Sequence, residues 1–174
     1  MNAAPFFADV ADGPADGCAH WVQASDGRRI RLGLWNKDAA QGTVLLLPGR
    51  TEYIEKYGRA ASDLATRGYA TLAIDWRGQG LADRALDDRM SGHVADFAEY
   101  QLDLDAMIAF AQAQSLPQPF YLIAHSMGGC IGLRGLMRGI PVQAAAFSAP
   151  MWGILMASWM RPMASVIATA SRMF

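Results

Sequence analysis

Tyr121-Leu-Ile-Ala-His-Ser-Met-Gly-Gly-Cys-Ile131 sets the architecture of the chain. It opens in an apolar run, Phe120 to Ala124, turns at Ser126, and continues through small residues into a helical pattern. A strand that ends in x-Ser-x-Gly-Gly and passes directly into a helix has the pattern of a nucleophile elbow. The turn holds the serine hydroxyl on a tight, strained backbone above the end of a sheet. Neighbouring residues must be small, because strand and helix backbones converge there. Gly128 and Gly129 meet that need on the helix side; Ala124, one methyl larger than glycine, stands on the strand side. Ser126 is therefore the candidate catalytic nucleophile, with Ala124, Gly128 and Gly129 as the residues that let the elbow pack.

Working outward, the segments on either side alternate. Thr43 to Leu47, Ala70 to Ile74, Phe120 to Ala124 and Val142 to Phe147 are apolar runs of strand length. Between them Tyr53, Tyr57, Ala61 and Leu64 form one helical stripe, and Phe97, Tyr100, Leu104, Ile108 and Ala111 form a longer one from about Val94 to Gln114. Cys130, Leu133 and Met137 mark the helix after the elbow. Strands apolar on both faces, separated by amphipathic helices, predict an α/β fold: a mostly parallel sheet with helices on both faces. Ahead of it, His20 to Gln23 and Arg29 to Trp35 flank the turn Ser25-Asp-Gly-Arg28, an antiparallel hairpin. The expected organisation is an N-terminal arm over 1–18, pinned by Phe6 and Phe7, a core over 19–149, and a helical segment over 150–174.

At 174 residues the chain is long enough for one domain with a sizeable core. Its net charge of −1, with no basic cluster, argues against nucleic acid as a partner. Cys18 and Cys130 have no metal or redox spacing, and no His/Cys cluster points to a metal. A buried free thiol at Cys130 suits a reducing compartment, and the N-terminus lacks the pattern of a signal peptide, which together point to the cytoplasm. The stretch Met151 to Phe174 is rich in Met and Trp and carries two charges. Arg161-Pro162 is expected to split it into pieces too short to cross a bilayer. Two short amphiphilic helices covering something apolar, or touching a membrane surface, are the expectation.

Two further motifs carry chemistry. Acyl transfer needs hydrogen-bond donors aimed at the oxygen that becomes negative. One is the backbone N–H after the nucleophile, which is Met127. The other comes from Leu47-Pro-Gly-Arg-Thr-Glu-Tyr53, where Gly49 lets the loop turn and the Arg50 N–H is the candidate donor; Glu52 is a candidate for holding this loop by hydrogen bonds. Asp75-Trp-Arg-Gly-Gln-Gly80 lacks the third glycine of a dinucleotide fingerprint, and no P-loop is present, so no cofactor is expected. This turn is expected to pack beside the rim of the site.

With the three motifs together, the chain resembles the α/β-hydrolases, and within them the branch of lysophospholipases, monoglyceride lipases and serine aminopeptidase-like proteins. Pro48-Gly-Arg-Thr-Glu52, Asp75 to Gly80 and Ala124 to Gly129 match that branch in order, with Ala124 replacing its glycine. The resemblance implies a serine hydrolase of carboxylic esters with a small acyl ester or lysophospholipid as substrate, soluble or peripheral to a membrane. It implies that the Met/Trp stretch is the start of a lid. A peptidase reading shares the same motifs.

One part is absent. A serine needs a base, and the base an orienting carboxylate; in this fold both follow the serine. From Met127 to Phe174 there are four arginines and no Asp, Glu or His. His125 is expected to project away from the hydroxyl, His93 to cap or pack at the start of a long helix, and His20 to lie in the hairpin. The expectation is the nucleophile half of a longer hydrolase, its last strands missing, with low activity and an exposed sheet edge prone to self-association. The alternative is a non-catalytic relative that keeps the scaffold.

Overall fold

The computed structural model describes residues 2–153 and 160–170. Its strands are β1 (Asn2–Ala3), β2 (Cys18–Gln23), β3 (Arg29–Trp35), β4 (Thr43–Leu47), β5 (Ala70–Asp75), β6 (Phe120–His125) and β7 (Ala144–Ser148). Its helices are α1 (Ala8–Ala11), α2 (Gly58–Thr66), α3 (Tyr100–Ala113), α4 (Met127–Met137) and α5 (Met160–Ala170). All seven strands form one sheet in the order β1-β2-β3-β5-β4-β6-β7. The block β5-β4-β6-β7 is parallel, and the hairpin β2-β3 with the short β1 continues it in antiparallel fashion.

The continuous apolar strands are explained by a core on each face. Leu45 and Leu47 point into the larger core with Leu72, Ile74, Leu122 and the α3 residues Leu104 and Met107. Leu46 and Ala73 point to the opposite face, where Ala61 of α2, Ile54 and Trp35 close a smaller core. Successive side chains of a strand alternate faces, so no residue of β4 or β5 is left in water.

Chain direction places the site. From β4 the chain crosses to β5 through α2; from β5 it returns past β4 to β6 through α3, the helix that packs on α4. Right-handed crossovers in opposite directions put α2 and α3 on opposite faces. The loops after the neighbouring strands β4 and β6 therefore leave toward opposite faces. The carboxyl ends of these two strands are the usual ligand position in an open α/β sheet.

Three local expectations are corrected. Cys130, expected as a buried thiol, is half-buried, and the other two residues that mark the helix after the elbow lie outward: Leu133 is 37% and Met137 82% exposed. The buried face is Gly128, Gly129, Ile131, Gly132 and Gly135. A methyl built on Gly135 would stand 2.7 Å from Leu104, and one on Gly132 3.0 Å from Leu122. The helix lies so close to its neighbours that only its glycine side fits inward. The long helix begins later than Val94, as a 3-10 turn at Phe97–Glu99 leading into α3. Asp96, not His93, caps it: the Asp96 side chain accepts from Ala98 N–H while Glu99 reaches back to the Asp96 N–H. His93 is exposed in the preceding loop. Finally, α5 runs through Arg161-Pro162.

Of the two arm aromatics, Phe6 meets Trp35 edge-on at 5.7 Å while Phe7 is 47% exposed, and the arm also supplies β1 to the sheet. Both cysteines are free, and Cys130 is half-buried rather than buried. No described helix is long and apolar enough to cross a membrane. Residues 154–159 and 171–174 of the expected lid lie outside the described residues.

Candidate active site

Ser126 sits between the last residue of β6 and the first of α4 with φ 49° and ψ −116°. A non-glycine residue holds such a backbone only when its surroundings over-determine it. Here they do: Ser126 N–H donates to Ser148 O at 3.1 Å, and Ser126 O accepts from Gly129 N–H and Met151 N–H, each at 2.9 Å. Methyls built on Gly128 and Gly129 would lie 2.2 Å from Leu47 O and 2.7 Å from Pro150 Cβ. Ala124 is fully buried and fits with its methyl in place. Ser126 itself is half-buried, and among the described residues its hydroxyl has no hydrogen-bond partner.

The loop after β4 abuts this serine. A methyl on Gly49 would come within 3.1 Å of Ser126 Cβ. Arg50 follows with its side chain exposed, and Met127 is buried at the first position of α4. Among the described residues neither the Arg50 nor the Met127 N–H donates to a protein acceptor.

Glu52 holds the loop. It accepts the Gly49 N–H at 2.6 Å and also the Tyr57 hydroxyl and the Lys56 ammonium. Burial opposes its ionisation, but hydrogen bonds from Lys56, Tyr57 and Gly49 outweigh that and hold its carboxyl below the ordinary range. Burial and this carboxylate together push the Tyr57 phenol up. His125 faces the same side: its ring Nδ1 bonds the Ser148 carbonyl at 3.1 Å, and Nε2 stands 3.8 Å from Glu52. A carbonyl only accepts, so Nδ1 carries the proton.

The Asp75 to Gly80 turn is built on buried charge. Asp75 accepts from Arg31 Nε at 2.7 Å, Ile54 N–H at 2.8 Å and Leu81 N–H at 2.9 Å, and Arg31 also forks onto Glu55. Burial pushes the Asp75 carboxyl up, against the pull of Arg31 and the two N–H groups. Arg77 spans Asp103, Asp26 and Glu99. Trp76 Nε1 donates to Pro48 O at 3.0 Å, and Gln79 Oε1 accepts the Thr51 N–H at 2.7 Å. The sequence offers no periodic signal for Arg31, Trp76 or Gln79, whose roles depend on contacts 24 to 44 positions away. Among the described residues no group of His, Cys, Asp or Glu is arranged to hold a metal.

With this geometry in view, the model of the family described as serine aminopeptidase, S33, matches residues 38–174. The chain belongs to that family. Lysophospholipase L2 of Escherichia coli K12 is 43% identical to it over 116 residues, covering 64% of this chain and 33% of that protein. The chain thus spans a third of the length of that relative. Among solved structures, the α/β-hydrolase GrgF of Penicillium superposes with a TM-score of 0.74 at 19% identity, covering 90% of this chain and 53% of that one. A soluble variant of the monoglyceride lipase of Saccharomyces cerevisiae gives 0.59 at 22%, covering 84% and 49%. This member of the S33 family has the α/β-hydrolase fold, with its elbow and its β4 loop at the carboxyl ends of adjacent strands.

Proposed function

We propose that the chain carries the nucleophile and the anion-stabilising half of a serine ester hydrolase acting on single-chain lipid esters, lysophospholipids or monoacylglycerols. The observation that carries this reading is Ser126 at positive φ beside Gly49. Ser126 Oγ is the nucleophile. Its attack on an ester carbonyl creates an oxyanion, and the N–H groups of Arg50 and Met127, without an acceptor among the described residues, are the donors assigned to it. A lipid substrate is supported by the lysophospholipase relative and by α5, whose residues Met160, Met163, Val166 and Ile167 are exposed at helical spacing. That face is the proposed peripheral contact with lipid.

Residues 127–174 contain no base or acid, and His125 is engaged by Ser148. We expect residues 1–174 alone to turn over esters slowly, the base and its carboxylate being supplied from outside them. The S33 family match favours a peptidase as the second reading. A fluorophosphonate probe, with lysophosphatidylcholine, monoacylglycerol and an aminoacyl anilide as substrates, tests both. Without a base in these residues the probe should attach slowly, at Ser126 and not in Ser126→Ala, and the esters should be turned over faster than the anilide. Labelling elsewhere, or faster release of the anilide, would overturn the ester reading.

A further inference from the structure

The turn Asp75 to Gly80 reaches the β4 loop with three side chains. Trp76 takes Pro48 O, Gln79 takes the Thr51 N–H and Asp75 takes the Ile54 N–H, so the grips fall at residues 48, 51 and 54. The middle grip is the informative one. Thr51 is β-branched and has φ 61°, a conformation such a residue avoids unless it is held. The peptide between Arg50 and Thr51 is fastened at both ends: its N–H by Gln79, its carbonyl by the Thr51 hydroxyl at 2.6 Å. The peptide between Pro48 and Gly49 is fastened by Glu52 at the Gly49 N–H. Between these two lies the Gly49–Arg50 peptide, whose N–H has no acceptor among the described residues. Two pinned peptides leave the one between them little freedom to rotate.

Gln79 is suited to the task. It is 2% exposed and sits in a tight turn, its own N–H bonded to Trp76 O at 2.8 Å and its carbonyl to Ala82 N–H at 3.0 Å. Because Thr51 donates, the Gln79 atom facing it must be the amide oxygen. The amide nitrogen then lies beside Gly92, where a methyl would stand 2.8 Å away. The turn is anchored from behind by Arg77 on Asp103 and by Arg31 on Asp75.

We infer that Gln79 is a positioning residue: it holds the Arg50–Thr51 peptide so that the Arg50 N–H stays aimed at the oxyanion. This rests on the reading of that N–H as an oxyanion donor. The test uses amide NMR on the chain and its Gln79→Ala, Gln79→Glu and Gly92→Ala variants. Loss of one buried hydrogen bond should speed exchange of the Thr51 amide about tenfold in Gln79→Ala. Gln79→Glu, which keeps an acceptor oxygen, should restore protection, and Gly92→Ala, which crowds the side chain, should lose it in part. The amides of β4 and β6 should stay protected throughout. An alkylboronic acid supplies the second arm: the Ser126 Oγ–B bond forms, boron becomes tetrahedral and anionic, and the hydroxyl proton goes to solvent. The Arg50 and Met127 amide resonances should both shift in the parent, and only Met127 in Gln79→Ala. An equal Arg50 shift in Gln79→Ala, or loss of β4 protection along with Thr51, overturns the positioning role. No shift at either amide in the parent overturns the oxyanion reading itself, whatever Thr51 exchange shows.

Discussion

Gly49 and Ser126 meet where β4 and β6 end, so closely that a methyl on the glycine would stand 3.1 Å from the serine Cβ and 3.2 Å from the Glu52 carboxylate. The contact joins two segments 77 positions apart (126 − 49) through the one residue type that lets them touch. Gly49→Ala should therefore keep the fold, because both neighbours need give only a few tenths of an ångström. The loop should shift away from the serine, and fluorophosphonate labelling should slow by about tenfold, the scale of a misplaced oxyanion donor at its lower end. Circular dichroism alongside labelling checks it. A variant labelled at the parental rate would mean that the loop does not shape the site.

The strained elbow makes a second prediction about stability alone. Ser126 holds φ 49°, a conformation glycine adopts without strain. Ser126→Gly should be more stable than Ser126→Ala by about 1 kcal/mol, the lower end of the strain stored at such a residue. Urea denaturation of the two variants measures it. Neither carries the hydroxyl, so the difference reports the backbone. Equal midpoints would mean that the elbow is relaxed.

The geometry of the elbow at this candidate site was legible from the chain because its requirements are local. A strand-to-helix turn needs small residues at fixed offsets, and Gly128 and Gly129 display them within the same stretch as Ser126. The strands β4 and β5 of the parallel block were legible because strands covered on both faces must be apolar throughout. The orientation of α4 was not. Cys130, Leu133 and Met137 mark the helix in the sequence, yet closeness of approach, not hydrophobicity, decided which side turned inward. Arg31 was hidden for a different reason. In a hairpin a charged residue reads as solvent-facing, and its burial at 1% depends on Asp75 and Glu55 arriving from two other elements. Gln79 likewise shows its role only once the β4 loop is beside it.

Glu52 gives the loop a pH dependence with a definite sign. Its carboxyl is held below the ordinary value, so the folded chain favours the ionised form more than the unfolded chain does. The stabilisation is present above the unfolded carboxylate value of about 4.3 and is lost as pH falls through the lower folded value. Glu52→Gln retains an oxygen for the Gly49 N–H but drops the charge. At pH 7 it should be less stable by about 1–2 kcal/mol, the worth of a hydrogen bond to a charged group. The gap should narrow as pH falls below about 4. Urea titrations of both proteins from neutral to acidic pH follow the gap, and other carboxylates cancel in the comparison. A gap that stays constant with pH would assign the loss to packing.

The last strand carries a prediction about association. β7 is the terminal strand of the sheet as described, and its outer N–H and carbonyl groups have no strand beside them. Ala144, Ala145 and Ala146 are exposed, as is Trp152 beyond the strand. On the α2 side a cleft of about 460 Å³, lined by Leu46, Tyr57, Leu64 and Ile123, opens next to it. A flat apolar edge with unpaired backbone is a template for a further strand, and a single lysine on it is the usual deterrent. The chain should therefore sediment as a concentration-dependent mixture. Ala146→Lys should shift it toward monomer while changing stability by no more than about 0.5 kcal/mol, as expected for an exposed position. If the lysine leaves association untouched, the contact lies elsewhere, and the exposed side of α4 at Leu133 and Met137 is the next surface to charge. A parent that stays monomeric at every concentration would show that the edge is protected in a way its burial pattern does not reveal.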